Sequence, residues 1–224
     1  MALRLFADVL QGSEEWHDLR RGVLTASVIG QLVTPSTLKV ASNDRSRAVV
    51  ASLVAERVTG WSEDSFTSFD MLRGHEDEVR ARDLYSARYA PVTEVGFMIR
   101  DDWGFDLGYS PDGLVGDDGM IEVKSRKPKY HLATIVSGEV PSEHMAQLQC
   151  GLLVSGRSWC DYLSYCGGMP MWVKRVTPDE DWHAALIEAA QTFEATAAVM
   201  ASEYAEAVAG LPATERVIYE DLVI

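Results

Sequence analysis

The chain reads as an α/β fold, or its α+β relative, with a central mixed β-sheet flanked by helices. Three observations point there. Apolar residues recur at helical spacing in residues 43–59, where Val49, Val50, Leu53, Val54 and Val58 share a face. Short strand-like runs cluster at 92–99, 105–109 and 120–125, and again at 160–166 and 171–176. A helical segment, 142–154, separates the two groups, and a long one, about 178–209, follows them.

Each element has its own signal. Residues 16–29 enter a short helix, with Ser13 and Thr25 as candidate N-caps. The 43–59 helix ends at Gly60, and residues 69–89 form a second helix charged on one face. Gly156 stops the 142–154 helix. Gly167-Gly168-Met169-Pro170 joins the last two strands. Pro178 suits the first turn of the long helix, and Gly210-Leu211-Pro212 ends it. No repeat and no low-complexity linker divides the chain, so residues 1–224 are expected to form one domain.

Composition narrows the class. A hydrophobic fraction of 47% and a charged fraction of 24% are those of an ordinary globule. No apolar run approaches the ~20 residues of a membrane span, and the start lacks a secretory core. Cys150, Cys160 and Cys166 are odd in number and form no C-x-x-C pair, so reduced, buried thiols in a cytoplasmic protein are expected. The net charge of −14 opposes a nucleic-acid partner until its distribution is considered. Acid is concentrated in residues 61–120 and 176–224, whereas 1–60 and 121–175 carry a slight basic excess. Screening over about 8 Å at physiological salt lets such local basic surface hold phosphates.

The chemistry concentrates in Ser110-Pro111-Asp112-Gly113 and Ile121-Glu122-Val123-Lys124-Ser125. Side chains alternate along a strand, so Glu122 and Lys124 share a face and Val123 points the other way. Two carboxylates and a lysine suit a divalent cation and an attacking water, and hard oxygen ligands favour Mg²⁺ or Mn²⁺. That combination is suited to cutting phosphodiesters. The register has a complication. A two-residue turn within 116–119 sets Asp112 opposite Val123, facing away from Glu122; an odd loop, a bulge or a bend at Pro111 restores it. Alone, Asp112 is a turn aspartate, Glu122 and Lys124 a solvent-facing strand pair, and Glu78 a charged helix surface.

The pattern Asp112-x₉-Glu122-x-Lys124, opened by Pro111, resembles the PD-(D/E)xK nucleases. Further stretches resemble one branch of them, the phage lambda exonuclease family of viral recombination alkaline exonucleases. They are Glu15-Trp16-His17-Asp18-Leu19-Arg20-Arg21-Gly22-Val23-Leu24-Thr25-Ala26-Ser27, then Gly74-x₃-Glu78, then His144-Met145-Ala146-Gln147-Leu148-Gln149. They come in family order, and the likeness spans residues 14 to about 157.

The resemblance implies a restriction-endonuclease-like α/β core. It implies a Mg²⁺-dependent exonuclease, with Mn²⁺ as substitute, that digests one strand of linear double-stranded DNA from its 5′ end. The product is a 3′ overhang for recombination. In that reading Asp112, Glu122 and the Val123 carbonyl hold the metal, and Lys124 orients the water and offsets charge on the phosphorane. Glu78 supports the metal site, and Gln147 positions a catalytic group or the scissile strand. Arg20, Ser27 and Ser110 form a pocket for a DNA 5′-phosphate. The family also implies a homotrimeric ring on duplex DNA ends, a single-strand annealing protein as partner, and a phage or prophage protein in a bacterial cytoplasm. One departure stands out. A second pocket arginine, eight positions after the motif glutamate, is Tyr130 here, with Arg126, Lys127 and Lys129 as substitutes. Asp102 aligns with a further family acid. Trp16 reads as a core anchor before a base-stacking residue, and His17 as structural. Trp159, Trp172 and Trp182 read as core or subunit-interface residues. The alternatives are a structure- or site-specific endonuclease with the same core, and a catalytically silent DNA-end-binding protein.

Overall fold

The short strands form three sheets in the computed structural model, which describes residues 3–63 and 69–216. The remainder of the 1–224 span lies outside the described residues. In chain order the elements are β1 (Leu3–Phe6), α1 (Glu14–Arg20), β2 (Leu24–Thr25), α2 (Ala26–Ile29), β3 (Val33–Thr34), β4 (Lys39–Val40), α3 (Asp44–Thr59) and α4 (Phe69–Arg88). Then come β5 (Phe97–Arg100), β6 (Leu107–Tyr109), β7 (Gly113–Val115), β8 (Gly119–Ser125), α5 (Pro128–Ser137), α6 (Ser142–Ser155), β9 (Trp159–Tyr165), β10 (Trp172–Val176) and α7 (Glu180–Ala207).

The strands divide where one central sheet was expected. One mixed sheet has the order β1-β5-β6-β2, a second has β10-β9-β8-β7, and β3-β4 is a small ribbon. In the second sheet β8 runs parallel to β9, while β7 and β10 are antiparallel to their neighbours. Ser110-Pro111-Asp112 carries the chain from the end of β6 in one sheet to the start of β7 in the other. This crossing places a proline, which cannot donate to a ladder, between strands rather than within one.

Strand alternation sorts β8 between two helices. Ile121 and Val123 pack with Ala81 and Tyr85 of α4, and with Leu163 of β9. Met120 belongs instead to the larger core with Leu148 and Leu152 of α6 and Leu186 and Phe193 of α7. Side chains such as Ile121 and Leu163 are fully buried, each contributing about 1.5–3 kcal/mol. Helix α6 also packs on β5, β6 and β9, so it spans both large sheets.

The capping chemistry is local. Ser13 accepts from Trp16 N, Asn43 and Ser46 form a capping box on α3, and Asp179 caps α7. Pro178 therefore precedes α7 rather than opening its first turn. The segment 16–29 divides into α1 and α2 around β2, which pairs in parallel with β6. The expected strand at 92–99 keeps only an isolated bridge at Thr93 before β5. Strand β1 and helix α5 carry weak sequence signals: β1 is a four-residue edge strand, and α5 leaves Leu132 and Val136 exposed. His131 ties α5 down, with ring nitrogens 2.7 Å from Ser164 Oγ and 2.9 Å from the Pro170 carbonyl. All three cysteines are buried free thiols, and no described helix is long and apolar enough to cross a membrane.

Candidate active site

The β7–β8 hairpin decides the facing of Asp112. Val115 pairs with Gly119 and Gly113 with Ile121, leaving Gly116-Asp117-Asp118 as a three-residue loop. Gly116 takes φ +54°, the left-handed region that glycine adopts without strain. This odd loop continues the register to Asp112 opposite Glu122. Asp112 Oδ2 then accepts the Val123 backbone N–H at 2.6 Å. The carboxylate of one strand end is thus hydrogen-bonded to the peptide between Glu122 and Lys124.

Glu122 lies at the centre of the cluster and is 1% exposed. Its Oε1 accepts from Lys124 Nζ at 2.7 Å and from Gln147 Nε2 at 2.6 Å. Its Oε2 accepts from the Tyr109 hydroxyl at 3.0 Å. Lys124 Nζ also donates to Gln147 Oε1 at 2.9 Å. A buried carboxylate is tolerated because cationic and neutral donors surround it. Gln147 reaches it because α6 crosses the Glu122 face of β8.

Helix α4 approaches from the other face. Glu78 Oε1 accepts from Arg82 Nη1 at 3.1 Å, and the same nitrogen donates to the Asp112 carbonyl at 2.8 Å. Arg82 Nη2 lies 3.0 Å from Glu94. From the same helix, Asp77 Oδ2 accepts from Ser125 Oγ at 2.6 Å, and Arg73 Nε donates to that hydroxyl. Arg82, Asp77 and Tyr109 were not singled out by the sequence reading. A Glu-x₃-Arg pair after Gly74 was the one available signal for Arg82.

Carboxylate crowding shapes the electrostatics. Burial raises the Asp112 pKa well above the ordinary range, and Glu122 and Glu78 push it further. Burial also raises Glu78, opposed by Arg82 and assisted by Glu122. Burial works against the Lys124 ammonium, but Glu122 and Asp112 outweigh it and raise its pKa. Lys124 is therefore a fixed cation beside crowded carboxylates. Among the described residues, no three His, Cys, Asp or Glu side chains form a ready-made metal cluster. The donor set still fits a hard divalent cation. Asp112 and Glu122 would supply carboxylates and the peptide at Val123 a carbonyl, and a cation would relieve the repulsion that adds to burial in raising Asp112.

A second polar cluster lies at the other end of the crossing segment. Arg20 Nη1 donates to Ser110 Oγ at 3.0 Å and Nη2 to Ser27 Oγ at 3.2 Å. Trp16 Nε1 donates to the same Ser110 Oγ at 3.0 Å, and its ring lies 4.1 Å beneath the guanidinium. Phe97 lies on the Arg20 cation at 5.5 Å, and Thr25 Oγ1 is 3.0 Å from Ser27 Oγ. Burial lowers the Arg20 pKa to about 10, opposed by Glu56, so the group stays charged at neutral pH. The described ion pairs include none to Arg20. Its charge is met by hydroxyls, which suits an anion held by a planar fork. Trp16 is half-buried and positions both Arg20 and Ser110, a role beyond that of a core anchor. His17 is exposed and sits edge-on to Trp16.

Arg126, one of the candidates to replace the arginine absent at Tyr130, donates to Glu143 at 2.7 Å and to His144 Nε2 at 3.2 Å. Its cation lies 5.4 Å from the Tyr130 ring. Lys129 lies 4.6 Å from the same ring. Asp102 pairs with Arg100 at 3.6 Å. Trp182 is buried, and Trp159 and Trp172 are partly buried against the cores.

His144 supplies a pH-dependent prediction. Burial, then Lys124 and Arg126, lower its pKa from 6.5 to about 4. The neutral ring accepts from Arg126 at Nε2 and places Nδ1 2.9 Å from the Tyr162 hydroxyl. Between these two pKa values the unfolded chain holds a proton that the folded chain does not. The His144 contribution is thus intact above about pH 6.5 and falls as pH drops towards 4, by about 3 kcal/mol in total. Urea unfolding at neutral pH and near pH 4 should show this loss. His144→Gln should remove that part of the slope.

The sequence matches the YqaJ-like viral recombinase domain over residues 15–158. No curated protein sequence matches at a significant level. Among solved structures, the alkaline exonuclease of Laribacter hongkongensis is similar at 31% identity and TM-score 0.79, covering 89% of this chain and 100% of that one. A structure of that exonuclease with dAMP matches at 32% identity and TM-score 0.78, with the same coverage. A phage-related exonuclease from Haemophilus somnus 129PT shares the fold at TM-score 0.58 and 11% identity, over 81% of this chain and 96% of that one. With its restriction-endonuclease-like fold and these matches, the chain belongs to the YqaJ-like viral recombinase family and is a nuclease of the alkaline exonuclease kind.

Proposed function

We propose that the protein is a Mg²⁺-dependent exonuclease, with Mn²⁺ able to substitute, that digests the 5′-ended strand of linear duplex DNA. The product is a 3′ overhang for recombination. The observation that carries this reading is the Ser110-Pro111-Asp112 crossing. It sets a hydroxyl of the Arg20 cluster two residues from the carboxylate tied to Val123. A terminal phosphate and the adjacent phosphodiester can be engaged together across so short a segment.

Asp112, Glu122 and the Val123 carbonyl would hold the cation, whose chemistry is Lewis-acid stabilisation and easier deprotonation of water. Lys124 would place positive charge against the phosphorane. Gln147 holds Lys124 and Glu122 in register. Glu78, through Arg82, fixes the peptide of Asp112 and adds negative charge. Arg20, Ser27 and Ser110 would receive the 5′-phosphate and so set the polarity of digestion. The working assembly is a homotrimeric ring, with a single-strand annealing protein taking the exposed 3′ strand, in a bacterial cytoplasm during phage growth.

The test is digestion of end-labelled linear duplex, beside a closed circle, with Mg²⁺. Stepwise loss of the 5′ label from the linear form and an intact circle are expected. Cutting of the circle identifies an endonuclease, and binding of ends without cutting identifies a silent subunit. The ring has a separate check. A net charge of −14 repels a polyanion at long range, and encirclement retains the track without tight binding at each step. Light scattering during gel filtration should give three times the chain mass of 24.7 kDa. A monomer with processive digestion intact would refute the ring.

A further inference from the structure

Tyr109 is fully buried at the end of β6, yet its hydroxyl is spent on one acceptor, Glu122 Oε2, at 3.0 Å. Lys124 and Gln147 both donate to the other oxygen, Oε1. The carboxylate is thus held from opposite sides by three donors carried on three elements: β6, β8 and α6. Helix α6 also shapes the space for the ring. Gly151 lies one helical turn beyond Gln147, and a Cβ there would sit 2.7 Å from Tyr109 Cζ and 3.0 Å from both Cε atoms. That ring end is enclosed and cannot swing aside without taking the hydroxyl off Glu122. The helix that delivers Gln147 to one carboxylate oxygen therefore leaves the notch through which Tyr109 reaches the other.

We propose that Tyr109 is a positioning residue for the catalytic centre: its hydroxyl fixes the rotation of the Glu122 carboxylate, so that the free lone pair of Oε2 is aimed at a divalent cation. This rests on the nuclease reading above, in which Glu122 is a ligand. A carboxylate ligand free to rotate loses geometry at the ion, and removing such an outer partner typically weakens metal binding or activity by about 10–100-fold. Phenylalanine keeps the ring and removes the hydroxyl alone. Gly151→Ala is the complementary perturbation, because it keeps the hydroxyl and displaces it. Alanine is also the better helix former, so any loss in that variant runs against its intrinsic propensity.

The experiment measures Mn²⁺ affinity of the full chain without DNA, by titration calorimetry, and then kcat and KM on linear duplex. Tyr109→Phe should bind Mn²⁺ about 10–100-fold more weakly, with kcat lowered and KM for DNA near wild type. Gly151→Ala should move both quantities the same way. The double variant should be little worse than Tyr109→Phe, since both act through one hydroxyl. A tyrosine that only stabilised the core would lower the melting temperature and leave Mn²⁺ affinity unchanged; that result overturns the proposal. Wild-type protein that neither binds Mn²⁺ nor cleaves DNA would overturn the nuclease reading itself, so the two failures are distinguishable.

Discussion

Lys124→Ala is expected to lower kcat by about 10²–10³-fold while duplex binding stays near wild type. The ammonium lies 2.7 Å from Glu122 Oε1 and 2.9 Å from Gln147 Oε1, partly exposed at the mouth of a carboxylate cluster. Its charge is held on by Glu122 and Asp112 against the effect of burial. It is therefore a preorganised cation whose value grows as negative charge develops on the reacting phosphate. The ground-state duplex gains less from it, because phosphate contacts along a groove are many and individually replaceable. Lys124→Arg should not restore the rate. A planar fork cannot place one compact charge between Glu122 and Gln147. The measurement is single-turnover cleavage with Mg²⁺, alongside a binding isotherm in Ca²⁺. Undiminished cleavage by Lys124→Ala would remove the lysine from the mechanism.

Arg20→Ala should slow digestion of 5′-phosphorylated ends more than of 5′-hydroxyl ends, by about 10–100-fold in the ratio. A charge-assisted hydrogen bond is worth roughly 1.5–3 kcal/mol, which converts to that range. The guanidinium is held by two serine hydroxyls and by the Trp16 face, so it needs no rearrangement to meet an anion. Removing it leaves the Asp112–Glu122–Lys124 cluster untouched, which is why the hydroxyl-ended substrate should suffer less. An equal loss on both kinds of end would make Arg20 a general backbone contact or a structural residue. Trp16→Phe offers an intermediate case. It keeps a ring under the cation but loses the hydrogen bond to Ser110.

The sequence by itself located the Asp112–Glu122–Lys124 cluster because the relevant spacing is local. Glu122 and Lys124 share a face through strand alternation, and Asp112 lies one hairpin away from them. The capped helices were legible for the same reason: Ser13, Gly60 and Gly156 act on their own neighbours. The facing of Asp112 was open, because a two-residue turn and a three-residue loop differ by one residue of register. Only the folded hairpin, with Gly116 left-handed, chose the odd loop. Residues brought in from distant elements were less visible. Gln147 and Glu78 came from the family resemblance, Arg82 had only its i,i+4 spacing from Glu78, and Tyr109 had no local pattern to mark it. Their roles depend on α4 and α6 packing on opposite faces of β8, which is set by long-range burial. The division into two large sheets joined at Ser110-Pro111-Asp112 is likewise tertiary. Strand propensity identifies extended segments, whereas the choice of neighbour depends on contacts far apart in the chain.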